Sequence, residues 1–209
     1  MTDLDNTDRA PAVYALITAA GSLEAASGNG RQLLPFRGRT VLETLTETLL
    51  AAPISGLAVV TNAGVDDELD LNEDPRFLTV VIEPAEDLAV GTIGPGIEAL
   101  RGNFTPDPGS GLLVCPAGFA EVDVGSVAAC IGVFTERPDM IVEATYRDRR
   151  GFPVILPLSL AASLSGLPAG GLPDLLALYP ERIYPCECDD PGVCQEVASA
   201  AEDADFAEG

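Results

Sequence analysis

Apolar runs rich in β-branched residues recur along the chain, at Val13–Ile17, Leu57–Thr61, Phe77–Ile82, Leu112–Cys115, Met140–Thr145 and Phe152–Leu156. Each is short and nearly continuous in hydrophobicity, the pattern of a strand buried on both faces. Segments of helical period lie between them. The clearest opens at Thr40, where T-V-L-E sets up a capping box with Glu43 and where Val41, Leu42, Leu45 and Leu49 share one apolar face, with Pro53 as its stop. Further helices are predicted over Gly96–Leu100, Val124–Phe134, Pro157–Leu164 and Pro173–Tyr179. Strands that alternate with helices require right-handed crossovers. They predict an α/β fold with a mostly parallel sheet, helices on both faces, and a ligand crevice beyond the carboxyl ends of the strands.

At 209 residues the chain suits one domain. The expected division is a flexible N-terminus over 1–11, the α/β domain over 12–197 and an acidic tail over 198–209, whose small, charged composition offers no face to pack. The balance of 33 acidic to 11 basic residues gives a net charge of −22, and every basic residue is arginine. Such a surface disfavours nucleic acid and anionic lipid, both of which need clustered cations. A small anion remains compatible, because one guanidinium and a set of backbone N–H groups make a local positive field. There is no apolar run long enough for a membrane span, and the acidic start lacks the basic and apolar regions of a secretory signal. A cytoplasmic location is expected.

The five cysteines are Cys115, Cys130, Cys186, Cys188 and Cys194. An odd number without an export signal argues against a disulfide framework. Cys115 and Cys130 read as small core residues. The last three form C-x-C-x5-C, which matches no common zinc spacing, and no histidine is present to complete a site. The metal ligands are not assigned from sequence.

After the first predicted strand come Ala19, Ala20 and Gly21, then a stretch of mostly small or polar residues, then Arg31-Gln32-Leu33-Leu34-Pro35-Phe36. Small side chains let backbone N–H groups approach a phosphate, and a cation some ten residues later can fold back over it. On spacing alone the stretch fits either an ordinary loop or a phosphate cradle.

The string "AAG…RQLLPFRGRTVLETL" resembles the MobA-like nucleotidyltransferases of the molybdenum cofactor pathway, in particular the CTP:molybdopterin cytidylyltransferases. The resemblance continues in order through "GTIGPGIEAL", "LLVCPAGFAEVD", "RRGFPVILPLSL" and "CDDPGV", covering about Val13 to Val197. It implies a single Rossmann-like, GT-A-like domain. It also implies the chemistry: an acceptor phosphate attacks the α-phosphorus of a nucleoside triphosphate, pyrophosphate leaves, and carboxylate-held Mg²⁺ screens the charge. By the same resemblance Ala19, Ala20 and Gly21 would line the nucleotide, CTP or GTP, and Arg31, standing where the family has lysine, would be the catalytic cation on the phosphates. The acceptor would be of the molybdopterin type, with a molybdoenzyme as the protein partner.

Several departures fall on functional positions. Ala25 and Ala26 stand where the family loop has an arginine, Gly118 where it has the aspartate after the fourth main strand, and Phe152 where it has the histidine of Arg-Gly-His-Pro. The late Asp-x-Asp reads Glu196-Val197-Ala198, leaving Glu121 and Asp123 as the expected nearest carboxylates to Gly118. Asp189 and Asp190, in an Asp-Asp-Pro-Gly run, read first as a turn. The basic cluster Arg147-Asp148-Arg149-Arg150 reads as either surface ion pairing or an acceptor-phosphate clamp made by Arg149 and Arg150. Loss of so many polar groups opens an alternative: a catalytically degenerate homologue that serves as a binding or assembly partner in molybdoenzyme maturation. A sugar-nucleotide or glycosyl transferase of the same general fold ranks last, since it too needs the missing acidic motif.

Overall fold

The computed structural model describes residues 10–20, 31–66, 74–82, 92–161 and 171–197. Its strands are β1 (Val13–Thr18), β2 (Pro35–Phe36), β3 (Arg39–Thr40), β4 (Gly56–Thr61), β5 (Phe77–Val81), β6 (Gly111–Pro116), β7 (Ile141–Tyr146), β8 (Arg149–Pro157) and β9 (Ile183–Glu187). The helices are α1 (Val41–Ala51), α2 (Ala63–Asp66), α3 (Ile93–Phe104), α4 (Val124–Glu136), α5 (Leu158–Ala161) and α6 (Gly171–Leu178). A seven-stranded sheet runs in the order β5-β4-β1-β6-β8-β7-β9, and β2 and β3 form a separate hairpin. All pairings in the large sheet are parallel except those of β8, which lies antiparallel to both β6 and β7.

Side chains along each strand alternate between two cores, which is why the strands read as continuous apolar runs. Val13, Ala15 and Ile17 of β1 face one side with Leu57, Val59, Leu113 and Cys115, where α1 and α4 close over them with Leu42, Leu45, Val127, Cys130 and Phe134. Tyr14 and Leu16 face the other side with Ala58, Val60, Leu112 and Val114, covered by Ile97 and Leu100 of α3, Leu160 of α5 and Leu175 of α6. The sheet is therefore wrapped on both faces, a mostly parallel α/β arrangement as expected.

Helix α1 has the predicted capping box: the Glu43 amide donates to the Thr40 hydroxyl at 3.1 Å, and the Glu43 carboxylate accepts from the Thr40 amide at 2.8 Å. Helix α3 extends beyond the predicted Gly96–Leu100 at both ends. Pro95 is tolerated in its first turn, where no intrahelical donor is needed, and Gly96 lets it lie close on the sheet. A Cβ at Gly96 would come within 2.3 Å of a Leu16 methyl and 2.9 Å of a Val60 methyl. Of the predicted helix Pro157–Leu164, α5 accounts for Leu158–Ala161, and the remainder lies outside the described residues.

Strand β9 has no counterpart in the sequence-based reading. Its two prolines-in-reach, Pro180 before it and Pro185 within it, mask its character, yet Pro185 is tolerated because β9 is an edge strand paired only to β7 among the described strands. No described helix is long and apolar enough to cross a membrane.

Candidate active site

In this strand order β1 sits between β4 and β6, the place where the winding direction reverses, so the crevice opens beyond the carboxyl ends of β1 and β6. The segments that meet at this edge are fixed by backbone hydrogen bonds. The Ala19 amide donates to the Val60 carbonyl at 2.8 Å, and the Ala117 amide donates to the Thr18 carbonyl at 3.1 Å. Ala19 and Ala20 are both buried. Gln32, also buried, donates its side-chain amide to the Ala19 carbonyl at 2.6 Å and so ties the far end of the loop to its start. Arg31 opens the one-turn 3-10 helix Arg31–Leu33 at this place, while its side chain and Gly21 lie outside the described residues. Sequence reasoning missed Gln32; the only signal was an amide within an otherwise apolar Q-L-L-P-F run.

The acidic side of the crevice is built differently from the expectation. A Cβ placed on Gly118 would fall 2.5 Å from Cγ and 2.6 Å from Oε1 of Glu196, and all three of its nearest atoms belong to that residue. The Glu196 carboxyl group therefore occupies the volume that a side chain at position 118 would fill. The backbone of this segment is held beside Gly118 by the Val197 amide, which donates to the Gly118 carbonyl at 2.8 Å. This corrects the choice of Glu121 and Asp123 as the carboxylates nearest Gly118. Asp123 instead caps α4, accepting from the Gly125 amide at 2.6 Å.

Asp190 is the brace between this segment and α4. Its Oδ1 accepts from the Gly192 amide at 2.8 Å, closing the turn, and its Oδ2 accepts from the Asp123 amide at 2.9 Å and the Ser126 hydroxyl at 3.0 Å. The Asp-Pro-Gly run thus serves as a turn, with a side chain that also reaches across to a helix N-terminus. Beside Gly118, the rings of Phe119 and Phe152 pack with centroids 4.7 Å apart at 56°. Both rings are half-buried. Phe152 thereby replaces the polar group expected of a histidine with an aromatic surface.

Arg149 and Arg150 are not brought together. They are neighbours on β8 and project to opposite faces of the sheet. Arg149 reaches the Cys194 carbonyl at 3.4 Å, whereas Arg150 forms an ion pair with the buried Glu143 carboxylate at 2.5 Å. Arg147 lies over the Tyr146 ring, 4.9 Å from its centroid, in the β7–β8 turn. The basic cluster is thus dispersed among separate partners. No three carboxylates gather among the described residues; the one group of three or more metal-ligating side chains there is Cys130, Cys186 and Cys188. Beside Gly118 the acidic side of the crevice presents the one carboxylate of Glu196, and the described residues form no closed cage of carboxylate ligands there.

The model of the MobA-like NTP transferase domain matches residues 15–183. No curated protein matches the sequence. Among solved structures the chain is similar to Rv0371c from Mycobacterium tuberculosis H37Rv, with TM-score 0.73 and 18% identity over 95% of this chain and 99% of that one. The same mycobacterial protein has also been solved in complex with manganese, with TM-score 0.66, 18% identity and the same coverage. A nucleotidyl transferase from Methanothermobacter, Mth528, aligns with TM-score 0.70 and 18% identity over 93% and 95% of the two chains. The 4-diphosphocytidyl-2C-methyl-D-erythritol synthase of Anaerococcus prevotii DSM 20548 aligns with TM-score 0.67 and 16% identity over 95% of each. At these identities the structural likeness speaks for the fold. A crevice at the switch point of a doubly wound sheet, matched along most of its length by one family model, leads to a single assignment: the chain belongs to the MobA-like NTP transferase family.

Proposed function

We propose that the protein is a nucleotidyltransferase that moves CMP or GMP from a nucleoside triphosphate to a phosphorylated, molybdopterin-type acceptor. One observation carries the reading: the Glu196 carboxyl group fills the space that a side chain at position 118 would take. The position of the charge, rather than the residue number that bears it, is what electrostatic stabilisation requires. The backbone around Ala19 and Ala20 would receive the nucleotide, Arg31 would balance the phosphates, and Glu196 would hold a divalent ion. Such an ion, when bound, screens the triphosphate charge.

The cytidylyl chemistry in the name of the aligned synthase and the manganese complex of the mycobacterial relative support this choice of substrate and metal class. For the acceptor, the half-exposed Phe119 and Phe152 pair beside Gly118 offers a surface on which a planar heterocycle such as a pterin can stack. The acceptor phosphate would have to be met by one arginine rather than two, since Arg149 and Arg150 face apart.

The test is pyrophosphate release from CTP and from GTP with Mg²⁺ and molybdopterin. Release that is lost in Arg31→Ala and in Glu196→Gln supports transfer; no release from either triphosphate refutes it. A second reading draws on the engagement of Arg150 by Glu143 and on Phe152 in place of a polar group: a degenerate homologue that binds the finished cofactor or a molybdoenzyme. Calorimetry detecting cofactor or enzyme binding without turnover would favour it.

A further inference from the structure

Cys186 lies in β9 and Cys188 one residue beyond its end, where the Cys188 amide still donates to the Thr145 carbonyl at 2.8 Å and so prolongs the ladder with β7. A C-x-C pair in an extended strand projects both sulfurs to the same face. That face is the one covered by α4, whose inward stripe of Val127, Cys130, Ile131 and Phe134 sets Cys130 against them. The Sγ atoms of Cys130, Cys186 and Cys188 lie within 4.8 Å of one another, and all three residues are buried. Cys115 shows what a lone core thiol looks like in this protein: fully buried, with its pKa pushed up by burial. The trio differs because three sulfurs from two separate elements converge on one point.

We propose that Cys130, Cys186 and Cys188 form a three-thiolate site for one soft d10 cation, zinc or monovalent copper in class, which clamps α4 to the end of β9. An ion about 2.3 Å from each of three sulfurs places those sulfurs about 4 Å apart, so separations of no more than 4.8 Å need at most a small contraction. Thiolate-only donor sets select such ions, and magnesium or manganese would not compete for them. Each metal–sulfur bond replaces an S–H bond, and the protons leave to solvent.

In the protonated trio the Cys188 thiol donates to the Cys186 carbonyl at 3.4 Å, a bond that gives way as the proton leaves on metal binding. Cys194 is outside the cluster, its thiol donating to the Arg149 carbonyl at 3.2 Å. The C-x-C-x5-C spacing gave no sign of this cluster, because the third sulfur comes from α4 and not from Cys194.

The clamp has a place in the architecture of the crevice, because Cys188 leads directly into the Asp190 turn and on to Glu196. The experiment uses the full chain, purified under reducing conditions and stripped with a chelator, then titrated separately with Zn²⁺, Cd²⁺ and Cu(I) and followed by native mass spectrometry, thiolate-to-metal absorption and thermal melting. One ion per chain with a raised melting temperature is expected. Cys188→Ser and Cys130→Ala should weaken binding roughly 100-fold or more, whereas Cys194→Ser should bind as the parent does. Cys130→Ala keeps the core apolar and so separates loss of a ligand from failure to fold, which circular dichroism monitors. No stoichiometric ion, undiminished binding in folded Cys130→Ala, or a chain lighter by two hydrogens from an internal disulfide would overturn the proposal.

Discussion

Replacing Asp190 by alanine tests the idea that a single carboxylate holds the acidic side of the crevice in place. The side chain accepts three hydrogen bonds, from the Gly192 amide, the Asp123 amide and the Ser126 hydroxyl, at 2.8, 2.9 and 3.0 Å. Bonds to a charged acceptor contribute about 1.5–3 kcal/mol each when enclosed. The amide of Asp123 is exposed and water can replace part of its bond, so about 1 kcal/mol per bond is the better figure, or about 3 kcal/mol in all. With a urea slope of about 2–3 kcal/mol/M, the unfolding midpoint should fall by about 1–1.5 M. Asp190→Asn keeps one accepting oxygen but turns an amide donor toward donors on the other side, and should lie between the two. Asp189→Ala, at an exposed neighbour, should stay within about 0.5 kcal/mol of the parent. A midpoint for Asp190→Ala within about 0.3 M of the parent would refute the reasoning.

Gln32→Ala frees the buried Ala19 carbonyl from its partner, which costs about 1–3 kcal/mol, and should weaken nucleotide binding measured by calorimetry while circular dichroism stays unchanged. Phe134→Ala empties a fully buried ring site beneath the sheet and should lower stability by about 3–5 kcal/mol in denaturant titration, with a smaller loss if the helix collapses inward. Asp74 is held below its ordinary pKa of 3.8, first by side-chain hydrogen bonding to Arg76 and next by the Arg76 backbone amide. Because the folded value is the depressed one, its contribution is present above the unfolded value and lost as pH falls through the folded one. Asp74→Asn should therefore reduce the melting temperature slightly at about pH 6, and the difference should shrink as the pH falls below the ordinary carboxylate value.

The architecture was legible because burial on both faces leaves a strong mark: β1, β4 and β6 are apolar at nearly every position, and their ends fall within a residue or so of the predicted ones. Strand β9 was not, since an edge strand with Pro185 and three half-exposed or exposed positions lacks that mark. The direction of β8 was not read either, although the six residues between the two predicted strands are too few for a crossover; a tight turn at Arg147 and Asp148, both at positive φ, makes the hairpin. At the crevice, Ala19 and Ala20 were candidates by type and order and are buried just beyond β1, whereas the loop after them and the Arg31 side chain lie outside the described residues. The substitution of Glu196 for a side chain at Gly118 could not be read, because it depends on a contact between segments far apart in sequence. The same is true of Cys130, which spacing alone places in the core and which only the packing of α4 on β9 brings to Cys186 and Cys188.

Whether the Glu196 carboxyl group stands in for the absent one is tested most directly by titrating CTP into the protein with Mn²⁺, in the parent and in Glu196→Gln. The variant keeps the shape of the side chain and removes its charge. Manganese-dependent CTP binding in the parent, lost or weakened by roughly tenfold or more in the variant, is the result the account predicts. Equal manganese-dependent binding in both proteins would contradict it.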